Sequence, residues 1–230
     1  MTFNKELIKK KATKLHNLVW SNKNQLWPDK KPSYIDMLEP SIVCKLLEID
    51  YCEHEELGRF GEKNNKFEVA GSINRSLKII SVAKKFGNKV TRFTAAHEIG
   101  HWILHPDESM HRDRPIESLK INYKNEPKEQ EANYFAACYL MPENLLRTKF
   151  KEIFLTETPL HFNENIAFWL NQDDYNSLLY SDPDSLDREF SLASCQNFNN
   201  NKHYSLADLF KVSKSAMAYR LHELGFVKYP

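Results

Sequence analysis

The stretch that most restricts this fold is Thr94-Ala95-Ala96-His97-Glu98-Ile99-Gly100-His101-Trp102-Ile103-Leu104-His105. It holds His-Glu-x-x-His in a segment that reads as helix. On a helix, positions i and i+4 share a face. His97 and His101 can therefore hold one zinc ion through two imidazole nitrogens. Glu98 lies about 100° further round, within reach of solvent at the metal without occupying it. Two ligands and a general base make the pattern of a zinc-dependent peptidase. Five letters alone arise by chance, so the neighbours matter. Ala95, Ala96, Ile99, Trp102, Ile103 and Leu104 make the helix apolar nearly all round, which predicts burial. Buried imidazoles and a buried carboxylate need partners, and a metal ion supplies one.

A chain of 230 residues accommodates one substantial domain with an appendage. The expected division is an N-terminal helix and linker over 1–33, a metallopeptidase domain over 34–153 and a helical subdomain over 154–230. A formal net charge of +1 gives no global basic field that would argue for nucleic acid. No apolar run approaches the ~20 residues of a membrane span. The first eleven residues are charged and lack the apolar segment of a secretory signal. Cys44, Cys52, Cys138 and Cys195 form no C-x-x-C pair, so free thiols in a reducing cytoplasm are expected.

Asn4 to Trp20 reads as an amphipathic helix with Ile8, Ala12, Leu15 and Val19 on one face. Asp36 to Glu48 reads as a second helix, with Pro40 in its first turn. Ile49 to Cys52 can start a strand. Phe67-Glu68-Val69-Ala70 and Ser76 to Val82 read as the two arms of an antiparallel hairpin, with Gly71 and Asn74 at turn-like spacing. The motif helix should begin near Val90 and end at His105-Pro106, since the residue before a proline avoids helical angles. The fold class is α+β: a zincin-like, mostly helical domain with a small antiparallel sheet beside the motif helix. An exposed sheet edge there could bind a peptide as an added strand.

Pro106 to Lys128 is polar and poorly patterned and reads as a loop, with a lid or substrate-contact role open to it. Glu129 to Leu140 reads as the next helix, stopped by Pro142. Glu131 shares a face with Phe135 and Cys138, and an inward carboxylate needs pairing. It is the expected third zinc ligand, while Glu126 and Glu129 sit in a polar lead-in that reads as solvated. Three histidines at four-residue intervals span two turns, ~12 Å. His105 is therefore expected beside the centre rather than on it. The metzincin pattern, which needs Gly and His where Leu104 and Asp107 stand, is excluded. Candidates for an oxyanion stabiliser are Tyr134, Tyr139, His105 and Arg92.

Arg92 to His105, followed by Glu131-Ala132-Asn133-Tyr134-Phe135-Ala136-Ala137-Cys138-Tyr139-Leu140-Met141-Pro142, resembles the ImmA/IrrE family of zinc metallopeptidases. The likeness runs from roughly Phe67 to Pro142 and recurs weakly near Leu206 to Gly225. It implies a gluzincin-like His-His-Glu site: His97, His101 and Glu131 as ligands to Zn2+, with Glu98 as base. It also implies a bacterial cytoplasmic protein that makes limited cuts in a helix-turn-helix repressor, switching on stress-response or mobile-element genes.

In the last third, Leu145 to Phe154 continues as helix, and Phe162 to Tyr180 carries scattered apolar positions. Ser205 to Leu221 resembles a helix-turn-helix, with Ser205 and Ser213 placed to cap its two helices. If it bound DNA, Ser213, Lys214, Ser215 and Tyr219 would face the groove. So little positive charge favours plain packing. The alternative function is a non-catalytic module that sequesters a repressor or binds DNA.

Overall fold

The computed structural model describes residues 4–61, 66–107, 109–114, 126–182 and 184–229. Helices and a small sheet share the chain, in keeping with an α+β protein. It separates into two compact units, the first reaching Leu140 and the second beginning at Met141.

In the first unit, α1 (Lys5–Ser21) is capped by Asn4, whose side chain accepts from Leu7 N, and it buries Ile8, Ala12, Leu15 and Val19. A short α2 (Lys23–Leu26) follows. The helix expected over Asp36 to Glu48 is split. A single 3-10 turn covers Asp36–Leu38, and α3 (Pro40–Leu46) starts afresh with proline at its first position. The break follows from Pro40, which forces Glu39 into the extended region at ψ 122°.

Then come β1 (Asp50–His54), β2 (Arg59–Phe60), β3 (Phe67–Glu68), β4 (Gly71–Asn74) and β5 (Ile79–Ala83). The hairpin is real but shifted. Phe67 and Glu68 pair with β2 instead, and the arm opposite β5 is β4, with Gly71 facing Val82 and Asn74 facing Ile79. Asn74, expected in the turn, ends the strand and organises the turn beyond it. Its Oδ1 accepts from Leu77 N and Ser76 Oγ, and Lys78 closes the turn at φ 54°.

The motif helix α4 spans Asn88–Leu104 and is buried from Thr91 through His101. It is followed by β6 (Met110–Asp113), inside a segment expected to be loop. Residues 115–125 of that segment lie outside the described residues. The main sheet runs β1-β5-β4-β6. It is mixed rather than purely antiparallel, because β1 pairs parallel with β5. The unit closes with α5 (Pro127–Leu140), buried from Tyr134 onward.

Two devices anchor α4. Arg75, in the hairpin turn, donates from Nη2 to the carbonyls of His101 (2.9 Å), Trp102 (3.0 Å) and His105 (2.9 Å). It thereby satisfies acceptors that a helix end leaves open. Near the other end, Arg92 is buried and donates to Glu39 Oε2 (3.1 Å) and Leu38 O (3.0 Å).

The second unit contains α6 (Glu143–Phe154), β7 (Leu160–His161), α7 (Glu164–Leu170), α8 (Tyr175–Leu179), α9 (Asp187–Ser194), β8 (Asn197–Phe198), β9 (Asn201–Lys202), α10 (Leu206–Leu209), α11 (Lys214–Glu223) and β10 (Val227–Lys228). Its core joins Phe150, Phe154, Leu192, Phe210, Leu221 and Phe226. Ser205 and Ser213 cap α10 and α11 as their positions suggested, accepting from Asp208 N and Ala216 N. All four cysteines are free. No helix among the described residues is long and apolar enough to cross a membrane.

Candidate metal centre

The centre is built by three elements of the first unit. One turn of α4 supplies His97 and His101, the first turn of α5 supplies Glu129, and the last residue of β6 supplies Asp113. One donor atom from each lies within 4.8 Å of all the others. His97 Nε2 is 3.0 Å from His101 Nε2, 3.1 Å from Asp113 Oδ2 and 3.4 Å from Glu129 Oε2. His101 Nε2 is 3.2 Å from Glu129 Oε1 and 3.9 Å from Asp113 Oδ2. Four ligands at about 2.05 Å from a tetrahedral zinc sit about 3.3 Å apart. The observed spacings scatter around that edge.

The hydrogen bonds on the far sides of the rings settle which nitrogens face inward. Asn133 Oδ1 can only accept, so His97 donates to it from Nδ1, at 2.9 Å. The Glu131 carboxylate takes the Nε2 proton of His105 at 2.9 Å. In a neutral ring, that leaves His105 Nδ1 to accept from His101 Nδ1 at 3.0 Å. When neutral, both ligand histidines thus carry their proton outward and turn a lone pair inward. Asp113 Oδ2, buried beside them, accepts no hydrogen bond. Two lone pairs and two carboxylates at this spacing repel one another unless a cation lies among them. The donor set, two imidazoles and two carboxylates, suits zinc.

Electrostatics tell the same story. Burial pulls His97 down, yet Asp113 and Glu129 outweigh it and hold it up at about 9. His101 is lowered, chiefly by burial and then by its charged neighbour His97, against the pull of Glu129. Burial raises Glu129, but His101, His111 and His97 together hold it well below the usual carboxylate range, and Asp113 is lowered likewise by His97 and His111. The cage draws in positive charge, as a proton when nothing else is available.

Each expected site residue has a clear position. His97 and His101 converge. Glu98 is fully buried and lies over Gly71. A Cβ at Gly71 would collide with Glu98 Oε1, 2.9 Å from Cδ and 2.6 Å from Thr94 Cγ2. Glycine is there for space, since it sits inside a strand and not in the expected turn. Glu131 does not join the cage. It pairs with His105, and the expectation that it is the third ligand does not match this placement. Glu129 stands there instead, two residues earlier and about 200° round the helix. His105 lies beside the centre, as its spacing indicated. Arg92 is engaged by Glu39 and Leu38, and Tyr139 is buried against His16.

Two residues were not anticipated: Asp113 and His111. His111 Nε2 lies 2.9 Å from both Asp113 Oδ1 and Glu129 Oε1, and its ring centroid is 4.1 Å from that of His101. Burial lowers this imidazole, but the two carboxylates outweigh it and raise it to about 10. The available signal was the spacing of His111 and Asp113, two apart and therefore on one face of a strand.

Residues 60–167, which contain the whole cage, match the family model of the IrrE N-terminal-like domain, Peptidase_M78. Over this region the chain is similar to the ImmA/IrrE family. No curated protein matches the chain. The likeness suggests a function of metallopeptidase type.

Proposed function

We propose that the protein is a zinc-dependent endopeptidase making limited cuts in a protein substrate. The substrate class suggested by the family likeness is a helix-turn-helix repressor inside the cell, whose loss would derepress stress or mobile-element genes. The observation that carries the reading is the four-acceptor cage around His97 and His101, inside a region that matches a peptidase family. The zincin-like reading of the fold draws support from the His-Glu-x-x-His helix packed beside a sheet whose edge strand borders the cage.

His97, His101 and Glu129 would hold the ion, with Asp113 beside them. When bound, zinc would polarise the scissile carbonyl and acidify attacking water. The remaining chemistry falls to side chains. Glu98 accepts the proton of the attacking water and passes it to the leaving amine. Its burial against Gly71 fixes the carboxylate in one orientation. His111, less buried than the two ligand histidines, offers an N–H to the developing oxyanion. β6, paired on one side among the described residues, offers the substrate a strand to align with.

The test uses purified protein and a co-encoded repressor. Glu98→Gln should keep one zinc per chain and abolish cleavage. Normal cleavage by this variant would remove Glu98 from the mechanism. One observation favours the second reading, a regulatory module with a structural metal: all four donors come from protein, as in closed structural sites. Against it stands Glu98, a buried carboxylate placed next to the cage without being part of it.

A further inference from the structure

We infer that Asp113 is a removable plug: it fills the coordination position that catalysis needs open, and the centre is latent until that carboxylate is displaced. This rests on the metallopeptidase reading above. A catalytic zinc centre uses three protein ligands and keeps one position for solvent or substrate, whereas a closed centre uses four. Here the fourth donor is present, and its location is specific. Asp113 is the cross-strand partner of Gly71, and Gly71 is the residue over which the Glu98 carboxylate lies. The proposed base and the fourth donor are therefore next to each other, which is where the attacking water has to sit.

The four donors are not held alike. His97, His101 and Glu129 project from α4 and α5. Those helices approach so closely that a Cβ on Gly100 would lie 3.1 Å from the Ala132 backbone. Both imidazoles are locked from behind by Asn133 and His105. Asp113 instead ends a four-residue strand that, among the described residues, borders β4 alone. Its Oδ1 is anchored at 2.9 Å by His111, a residue less buried than the two ligand histidines, while its Oδ2 faces the cage, 3.1 Å from His97 Nε2. It is the donor that can leave without unpacking a helix. An incoming peptide carbonyl competes for the same position, and Asp113 can then withdraw on the His111 side.

The plug itself is tested without a proteolytic substrate. The full chain is loaded with Co2+, and its visible spectrum is followed during titration with azide, a small anion that occupies only an open position. Azide should leave the wild-type spectrum unchanged at concentrations that saturate Asp113→Ala. Asp113→Asn, which keeps the side-chain volume, serves as the second variant should the alanine form fold poorly. Losing a true ligand should also weaken zinc in chelator competition by at least about tenfold. Equal azide affinity in wild type and both variants overturns the plug, and so does unchanged zinc affinity. A chain that loads no metal overturns the metal reading and the plug together. Variants that open to azide yet cleave no protein leave the plug standing and overturn the peptidase reading alone.

Discussion

Replacing Gly71 with alanine asks whether Glu98 really lies where the structure puts it. The added methyl meets two things. One is the Glu98 carboxylate, with Oε1 in collision and Cδ at 2.9 Å; the other is Thr94 Cγ2, at 2.6 Å. A carboxylate at the end of a flexible side chain can normally step aside. Glu98 is fully buried, and Thr94 is β-branched and 1 % exposed, so neither has room. Overpacking of a well-filled interior costs about 1–3 kcal/mol, and this site belongs in the upper part, about 2–3 kcal/mol. In a chain of this size each kcal/mol lowers Tm by about 2–4 °C, so Tm should fall by about 4–12 °C. Shortening the acid relieves the collision. In a thermal-unfolding cycle of Gly71→Ala, Glu98→Asp and the double variant, the double variant should be more stable than the sum of the two single effects by about 1 kcal/mol or more. Zinc content should stay at the wild-type level, because no ligand is touched. Strict additivity, or a Gly71→Ala protein with unchanged Tm, would refute the placement of Glu98 against β4.

Four further expectations can be checked together. Glu129→Gln should weaken zinc far more than Glu131→Gln, which acts only through His105 and should cost about 10–100-fold; competition with a coloured chelator ranks them, and the reverse order would return Glu131 to the cage. Zinc uptake by the metal-free protein at pH 8 should release about one proton, because His97 titrates near 9 and must give up its proton to bind. The release should fade above that pH, as calorimetry in buffers of different ionisation enthalpy can show. The same raised values mean that His97 and His111 stabilise the metal-free fold below their ordinary 6.5, and that this contribution disappears as pH climbs through about 9 to 10. The lowered Asp113 and Glu129 contribute above their ordinary range near 4 and lose their contribution as pH falls towards their folded values. Arg75→Ala should speed amide exchange in the last turn of α4 while leaving α1 unchanged, since three carbonyls lose one donor.

The helices that build the centre were legible because their signals are local. Apolar residues surround His97 and His101, and Tyr134 to Leu140 form an unbroken buried run. The third member of the cage was not legible for a geometric reason. Glu129 and Glu131 are both plausible on α5, and the choice depends on how that helix is rotated against α4. The close approach of Gly100 to Ala132 sets this rotation, and no single segment encodes it. Glu131 faces inward, as its apolar neighbours indicated, but towards His105. Asp113 and His111 escaped because a four-residue strand amid charged residues has no hydrophobic alternation to betray it. Gly71 resembled a turn residue, because the need for an absent side chain arises only once α4 lies against the sheet.

The approach of α4 to α5 at Gly100 also bears on which ion the cage accepts. Backbone, not side chain, separates the helices there, with Phe135 Cδ1 at 3.2 Å and the Ala132 Cα and O at 3.1 Å from where a methyl would be. The gap between the helices therefore acts as a fixed gauge: His97 and His101 on one side and Glu129 on the other cannot spread to follow a larger ionic radius. Calcium, which needs oxygen donors at about 2.3–2.6 Å and six or more of them, should therefore fail to compete with zinc, on size as well as chemistry. Widening the gauge with Gly100→Ala should cost zinc more than it costs larger divalent ions.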